Sequence, residues 1–232
     1  MTTQWAKPPE GSWTEHYPEL GTGPISFRDS ISPEFYALER DAVFTRAWLN
    51  LCRVEELPEV GSYLTKDIEV TNSALILVHG EDGRIRAFHN QCRHRGAKVA
   101  DGSGREPELV CARSGWRYAL DGTLRQVPNR DSYFDFDTAD YGLVPVHCDV
   151  WAGFVFVNLD AQPRQTLREF LGPMVTGLDD YPFGTLTERY DWVAHNNSNW
   201  KIFADAFQEY YHVPSLHTQQ VPAEVRNPAA GF

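Results

Sequence analysis

Short segments with strand-like patterns occupy the middle of the chain, and they restrict its possible folds more than any other feature. Alternation of polar and apolar side chains is typical of a half-buried strand, and a short continuous apolar run is typical of a more buried one. The predicted strands are 63–70, 74–78, 85–88, 116–120 and 153–159. The fourth ends at Asp121-Gly122, a strong hairpin signal. Residues 60–160 are therefore predicted to form a compact unit of short antiparallel strands, a small sandwich or barrel.

A helix is predicted before these strands. Ser32 is a suitable N-cap residue, and Pro33 is well placed at the first helical position because its missing N–H needs no partner there. Apolar residues at helical spacing follow, and Phe44 and Trp48 are spaced one turn apart. The pattern therefore predicts an amphipathic helix in this segment.

A short helix is predicted after the strands. Thr166 and Glu169 have the spacing of a capping box, in which each side chain bonds the backbone N–H of the other residue. Gly172-Pro173 is expected to interrupt this helix, because proline lacks the N–H that the helix interior needs.

The balance of charges excludes several functions. The chain has 21 Lys and Arg residues against 32 Asp and Glu residues, a net charge of −11, and it has no basic block. Such a chain is a poor candidate for binding nucleic acid or an anionic membrane. Its apolar runs are too short to span a bilayer, and its first residues lack the apolar region of a secretory signal. We therefore expect a cytoplasmic protein that binds neither nucleic acid nor a membrane.

Two cysteines and a histidine form the first candidate site. Four cysteines in 232 residues are too few for a disulfide framework. Cys92 and His94 lie one residue apart, and sixteen residues separate His94 from Cys111, enough for a hairpin to return a second ligand loop. The alternatives are two core cysteines with a hydrogen-bonded histidine, or a zinc ion on these three side chains.

These two loops resemble the Rieske [2Fe-2S] motif, C-x-H followed by C-x-x-H. Their flanking residues are similar to the cluster loops of Rieske-type ring-hydroxylating oxygenase α subunits. The resemblance implies that Cys92 and Cys111 hold one iron of the cluster and that His94 is an imidazole ligand of the other. Ser114 stands where the family has its second histidine. Because a hydroxyl is a weak iron ligand, we expect a labile, retuned or absent cluster.

The second candidate site lies in the last predicted helix, which runs from about Ser198 to His212 and ends at Pro214. At helical spacing one face is aromatic and the opposite face is polar: Trp200, Phe203, Phe207, Tyr210 and Tyr211, against Asp205, Glu209 and His212. His217 follows. Two histidines with a carboxylate are the facial triad of non-haem Fe(II) oxygenases. An amphipathic helix with a solvated polar face is the alternative interpretation.

This segment resembles the catalytic domain of the same oxygenases, in which Asn-Trp-Lys precedes an acid-x-x-His-x-x-x-x-His pattern. The resemblance implies that His212 and His217 bind the mononuclear iron, and that Glu209 is the acid that connects to the cluster of a neighbouring subunit. Asp205 is expected to support the site by hydrogen bonding. The family's third iron ligand is a carboxylate far downstream, so we expect these residues to be a truncated or partial chain.

The combined prediction is an α+β fold in three parts. Residues 1–50 form an arm and a helix, 51–160 form a small antiparallel Rieske domain, and 161–232 begin a mixed catalytic domain. The resemblance implies that a ferredoxin or reductase passes electrons from NAD(P)H through the [2Fe-2S] cluster to mononuclear Fe(II), for O₂-dependent hydroxylation or dealkylation of a small organic substrate. We expect an aromatic substrate and a homotrimer. The rival hypothesis is a non-catalytic Rieske-like module with a role in binding or assembly.

Overall fold

The computed structural model describes residues 19, 23–186, 190, 193–209, 212–217 and 219–220. Contacts divide the chain into two compact units. One unit is Ala37–Asp191, and the other is Met1–Tyr36 together with Trp192–Phe232. The predicted cluster loops belong to the first unit, and the predicted mononuclear iron ligands belong to the second.

Antiparallel β-structure dominates the larger unit. Its described strands are β1 (Leu49–Arg53), β2 (Ser62–Ile68), β3 (Ser73–His79), β4 (Ile85–His89), β5 (Ser103–Arg105), β6 (Leu109–Val110), β7 (Arg117–Tyr118), β8 (Leu124–Gln126), β9 (Pro145–Trp151) and β10 (Phe154–Asn158). The larger sheet has the order β1-β10-β9-β4-β3-β2-β5, and the smaller sheet has the order β6-β7-β8. All of the described pairings are antiparallel. This arrangement confirms the predicted unit of short antiparallel strands.

β3 is an interior strand of the larger sheet, and its side chains are buried on both faces. Ile76 and Val78 face a core that also contains the cysteines of the predicted cluster loops. Leu75 and Leu77 face a second core on the other side of the sheet. All four side chains are fully inaccessible to solvent, which explains why this segment is a continuous apolar run and not an alternating one.

The described helices are short. They are α1 (Pro33–Glu39), α2 (Leu167–Leu171), α3 (Pro173–Leu178), α4 (Trp200–Ala206) and α5 (Val213–Leu216). The capping box of α2 is confirmed, because Thr166 Oγ1 accepts the N–H of Glu169 at 3.3 Å and the Glu169 carboxylate accepts the N–H of Thr166 at 2.9 Å. α3 starts at Pro173, so the predicted interruption is confirmed as well.

The prediction that Phe44 and Trp48 lie one helical turn apart is wrong. α1 is followed by a π-helical turn, Arg40–Phe44, and the helix has ended before Trp48. Trp48 packs instead in a third core cluster with Phe156 and the α2 residue Leu167. Its Nε1 donates to the carbonyl of Gln165 at 3.0 Å. Tertiary packing of one large side chain thus overrides the local periodicity.

The prediction of a single helix from about Ser198 to His212 is also wrong. Asn199 caps α4 by accepting the N–H of Lys201 at 3.0 Å, and α4 ends at Ala206. Pro214 lies in the first turn of the separate helix α5, where its missing N–H needs no partner, so it does not end the preceding helix. Tyr210 and Tyr211, which the helical spacing places on the aromatic face, lie outside the described residues.

The α+β fold class is confirmed by this mixture of antiparallel sheet and short helices. The domain boundaries at residues 50 and 160 stay predictions. In the part of the chain that the structure describes, none of the helices combines the length and the apolar character needed to cross a bilayer.

Candidate metal centres

Each predicted cluster loop is a closed turn that begins with a cysteine. In the first loop the N–H of Gly96 donates to the carbonyl of Cys92 at 2.8 Å, and in the second the N–H of Gly115 donates to the carbonyl of Cys111 at 2.8 Å. The two glycines have φ values of 77° and 71°, which side chains with a Cβ rarely adopt. The sequence therefore builds the same type of turn twice, on facing segments.

The two turns bring both cysteine sulfurs together inside the core. Cys92 is 2% exposed and Cys111 is 0% exposed. Ser114 belongs to the turn that begins at Cys111, and its Oγ lies 3.4 Å from Cys92 Sγ, so the two turns meet at the sulfur of Cys92. Burial alone would raise the pKa of Cys111, but the hydrogen bonds from Ser114 and its neighbours outweigh burial and lower it. A lowered pKa favours the thiolate, which is the metal-binding form.

Tyr118 also contacts the sulfur of Cys92, and no motif in the sequence assigns it to the site. Its hydroxyl lies 3.3 Å from Cys92 Sγ and accepts the N–H of Arg93 at 3.0 Å. Burial, followed by the hydrogen bond to Cys92, raises the pKa of Tyr118, so the phenol stays protonated and donates to sulfur. The sequence signal that could identify Tyr118 is its position in β7, which directly follows the second loop. Tyr118 comes two residues after the buried Trp116, so both side chains lie on the same face of the strand.

Asn90 holds the far end of the first loop, and no motif in the sequence assigns it to the site either. Its side-chain oxygen accepts the N–H groups of Val99 at 2.8 Å and Ala100 at 3.2 Å, and its side-chain nitrogen donates to the carbonyl of Ala100 at 2.8 Å. Asn90 is 2% exposed, so these backbone groups have no access to bulk water as substitute partners. One buried amide therefore fixes the return of the loop to the sheet.

His94 lies at the rim of the site. Its exposed imidazole ring is 5.5 Å from the ring of Trp116, measured between centroids, with the planes 32° apart. Trp116 itself is buried and packs against three further aromatic rings: Tyr133, Phe136 and Tyr141. The imidazole therefore rests on a rigid aromatic wall while remaining open to solvent.

The arrangement argues against a single zinc ion on Cys92, His94 and Cys111. Among the described residues, no three His, Cys, Asp or Glu side chains lie close enough to share one metal ion. A Rieske cluster needs no such group, because its thiolates and imidazoles bind different irons. The two buried cysteines supply the thiolate donors that one iron of such a cluster would need, and the ligand role of His94 stays a prediction. The fourth ligand position does not fit, because the short side chain of Ser114 lies against the sulfur of Cys92.

Three other donors in the same unit do not complete the site. His147 Nε2 bonds the carbonyl of Ala161 at 3.1 Å. Cys148 packs against the core on the other side of the sheet, where burial raises its pKa to about 12. Burial lowers the pKa of His89, which is half-buried at the end of β4. Within the described residues none of them forms a metal-binding group with the cysteine pair.

Glu209, His212 and His217 lie close together in the smaller unit. The Glu209 carboxylate bonds Nδ1 of His212 and also accepts its backbone N–H at 3.2 Å. The two imidazole rings are 5.3 Å apart between centroids, at an angle of 64°. Because Glu209 engages Nδ1, Nε2 of His212 is the nitrogen left to bind a metal.

Asp205 lies on α4 and is exposed. Its side chain makes no hydrogen bond with Glu209 or His212 within the described part of the chain. Its supporting role therefore stays a prediction, as do the ligand roles of His212 and His217. Glu224 lies outside the described residues.

Two family models match the chain. Residues 47–146 match the Rieske [2Fe-2S] domain, and residues 183–230 match the catalytic domain of the ring-hydroxylating α subunit. The order of the two matches is the order of the two candidate metal centres along the chain.

Curated relatives match most of the length of this chain. The chain is 35% identical over 192 residues to the glycine betaine monooxygenase oxygenase subunit of Chromohalobacter salexigens, a match that covers 81% of this chain and 41% of that protein. It is 31% identical over 186 residues to the carnitine monooxygenase oxygenase subunit of Escherichia coli K12, which covers 77% of this chain and 48% of that protein. The chain thus spans about half the length of these relatives.

Solved structures show the same fold. The quaternary ammonium Rieske monooxygenase CntA, in complex with γ-butyrobetaine, matches with a TM-score of 0.76 at 27% identity, over 83% of this chain and 55% of that one. Naphthalene 1,2-dioxygenase with bound indole matches with a TM-score of 0.71 at 26% identity, over 86% of this chain and 47% of that one.

Proposed function

We infer the function of this chain from its membership of the Rieske-type oxygenase α subunits, because both parts of that family match it in order. We propose that a [2Fe-2S] cluster binds at Cys92, Cys111 and His94, and that a mononuclear iron binds at His212 and His217. Together these groups would supply electrons and bind O₂ for hydroxylation or oxidative dealkylation of a small organic substrate. The observation that carries this proposal is that the two predicted cluster turns meet in one core, where both cysteines are buried and Ser114 of the second turn contacts the sulfur of Cys92 in the first.

Cysteine variants test the cluster site directly. We expect Cys92→Ala and Cys111→Ala each to abolish the iron and acid-labile sulfide that the anaerobically reconstituted protein retains. Cys148→Ala is the matched control, because Cys148 packs in a different core cluster from the cysteine pair. If the two site variants keep as much iron and sulfide as the control, the cluster does not bind there and the proposal is wrong.

The names of the relatives support a quaternary ammonium substrate in place of the expected aromatic one. Relatives 35% and 31% identical to this chain are monooxygenases of glycine betaine and carnitine. We therefore propose a small trimethylammonium compound as substrate. With an electron-donor protein supplied, carnitine or betaine should stimulate O₂ uptake with formation of a dealkylated product. O₂ uptake that is stimulated by naphthalene but not by carnitine or betaine would overturn this choice.

The proposed partners follow from the same family. We propose that a ferredoxin or reductase delivers the electrons and that the full-length protein assembles as a homotrimer. Glu209, already bonded to His212, would connect the iron site to the cluster of a neighbouring subunit. Sedimentation of the full-length protein tests the assembly, and a stable monomer that still couples both metal centres would contradict it.

A non-catalytic Rieske-like module is the second candidate function. One observation favours it, since Ser114 places a hydroxyl where the family's second imidazole would stand. A folded wild-type protein that takes up neither iron nor sulfide under anaerobic reconstitution would support this module over the oxygenase.

A further inference from the structure

A cavity of about 300 Å³ lies in the larger unit, between the segment that links α1 to β1 and the segment that links β10 to α2. Its lining contains none of the residues that were assigned to the two metal centres. The volume is at the lower end of the range that small-molecule sites occupy in proteins. The cavity is therefore large enough for a small organic ligand.

Hydrogen bonds hold the walls of this cavity in place. Asn158, which is 2% exposed, donates to the carbonyl of Arg46 at 2.9 Å and accepts the N–H of Asp160 at 2.9 Å. Trp48 Nε1 donates to the carbonyl of Gln165 at 3.0 Å. These bonds join the two linking segments, which are more than a hundred positions apart in the chain. A ligand therefore does not have to order the walls when it binds.

One part of the lining is apolar and open to water. Val43 and Phe170 are each 42% exposed, and both line the cavity together with the buried ring of Trp48. Covering exposed apolar surface is favourable in water. This part of the lining therefore favours a ligand with an apolar body.

The other part of the lining carries a net positive charge. Arg46 and Arg164 each contribute a guanidinium group, and Asp160 contributes a carboxylate. Within the described ranges of the chain, neither guanidinium has an ion-pair or hydrogen-bond partner. A guanidinium group presents a planar fork of N–H donors that matches the two oxygens of a carboxylate. Two guanidinium groups and one carboxylate leave one positive charge, so the lining matches a ligand with a single negative charge.

We propose that this cavity binds a small organic monocarboxylate, with its carboxylate bonded to Arg46 and Arg164 and its apolar body against Val43, Trp48 and Phe170. The site lies outside both metal centres, and the inference uses neither the cluster nor the mononuclear iron. The proposed function and this inference can therefore fail independently of each other.

NMR titration of the whole chain with para-fluorobenzoate tests the proposal. We expect saturable broadening of the fluorine signal, together with a shift of the indole N–H signal of Trp48, which is assigned by its loss in Trp48→Phe. The uncharged para-fluorobenzamide and inorganic phosphate are the control ligands, because the first lacks the charge and the second lacks the apolar body. If para-fluorobenzoate leaves the Trp48 signal in place, the site is wrong. If either control ligand shifts it as strongly, the ligand class is wrong.

Variants of the lining locate the binding. Arg46→Gln and Arg164→Gln should each weaken the binding of para-fluorobenzoate about three- to tenfold, the modest effect expected of exposed charge pairs. Ala42→Phe, at an exposed position of the lining, should block the cavity without disturbing the core. Arg40→Gln is the matched control, since Arg40 pairs with Asp41 outside the lining, and it should bind as the wild type does. Equal affinities for the control and the three lining variants would overturn the inference.

Discussion

Individual hydroxyl and amide groups determine the chemistry of the two cluster loops. Tyr118 and Ser114 both bond the sulfur of Cys92, and hydrogen bonds to cluster sulfurs are among the factors that set a reduction potential. Asn90 contributes differently, since its buried amide satisfies backbone groups where the first loop rejoins the sheet. The polar side chains of the cluster loops are therefore of two kinds: those that hydrogen-bond the cysteine sulfur and those that hold the loop backbone in place.

We predict that Tyr118→Phe lowers the reduction potential of the reconstituted cluster. In the wild type, this hydrogen bond stabilises the reduced cluster more than the oxidised one, because the reduced cluster carries more negative charge on sulfur. If the bond is stronger by about 1.4 kcal/mol in the reduced state, its loss lowers the potential by about 59 mV. Spectroelectrochemical titration measures the shift. Tyr141→Phe is the control: it removes a phenolic hydroxyl from the neighbouring aromatic cluster and should leave the reduction potential unchanged. Equal potentials for wild type and Tyr118→Phe would contradict the prediction.

We predict that Asn90→Ala lowers the free energy of unfolding by about 1–3 kcal/mol, because it leaves buried backbone groups of Val99 and Ala100 without partners. Urea denaturation followed by tryptophan fluorescence measures the loss. Gln91→Ala, at the exposed neighbouring position, is the control and should change stability by less than about 0.5 kcal/mol. The assignment fails if both variants are equally stable.

Turns and caps control the structure at the scale of elements. The turn between β7 and β8 contains Asp121, whose carboxylate accepts the N–H of Thr123 at 2.9 Å, and Gly122, with φ 88°. A Cβ on Gly122 would overlap the ring of Phe88, whereas Gly83, with φ 76°, has nothing within 4 Å of an added Cβ. The two glycines share a backbone conformation and differ in packing.

This pair gives a controlled stability comparison. Gly83→Ala should cost about 1–2 kcal/mol, the cost of a left-handed conformation for a residue with a Cβ. Gly122→Ala should cost a further ~1–3 kcal/mol, because the added methyl overpacks the core at Phe88. Urea midpoints measure both losses, and a Gly122→Ala loss no larger than that of Gly83→Ala would show that the Phe88 ring moves aside freely.

Local signals in the sequence predicted some elements well and others poorly. The capping box at Thr166 was predictable because all of its partners lie within four residues. The end of α4 at Ala206 was not, because the aromatic spacing continues to Phe207, whose ring still contacts Phe203 at 5.1 Å between centroids. The packing of Trp48 was not predictable either, because it depends on contacts with residues more than a hundred positions away in the chain.

At the scale of the whole molecule, each candidate metal centre belongs to its own compact unit. That the two cysteine loops meet and that His212 and His217 lie close together could be predicted from the motifs that contain them, and the metal-binding roles of these residues stay predictions. Tyr118 and Asn90 could not, because their roles arise only when the sheet brings distant segments together. Ser114 shows both effects, since the sequence identifies the substitution and the structure shows where its hydroxyl points.

We predict that Glu209→Ala weakens metal binding at His212 and His217 by about 10–100-fold, because it removes the group that orients His212 through Nδ1. Titration with Co²⁺, in a Cys92→Ala background that removes the thiolate site, measures the affinity. Glu209→Gln keeps an acceptor oxygen and should lose less, and Gln208→Ala is the control on the exposed neighbouring position. If Glu209→Ala binds Co²⁺ as tightly as Gln208→Ala, Glu209 does not orient the ligand.

The EPR spectrum of the reduced, anaerobically reconstituted chain tests the central claim most directly. If the thiols of Cys92 and Cys111 hold a cluster together with His94, the wild type should give a Rieske-type signal that integrates to one spin per chain and is absent from Cys111→Ala. A folded wild-type protein with no signal, or the same signal in Cys111→Ala, would contradict the account.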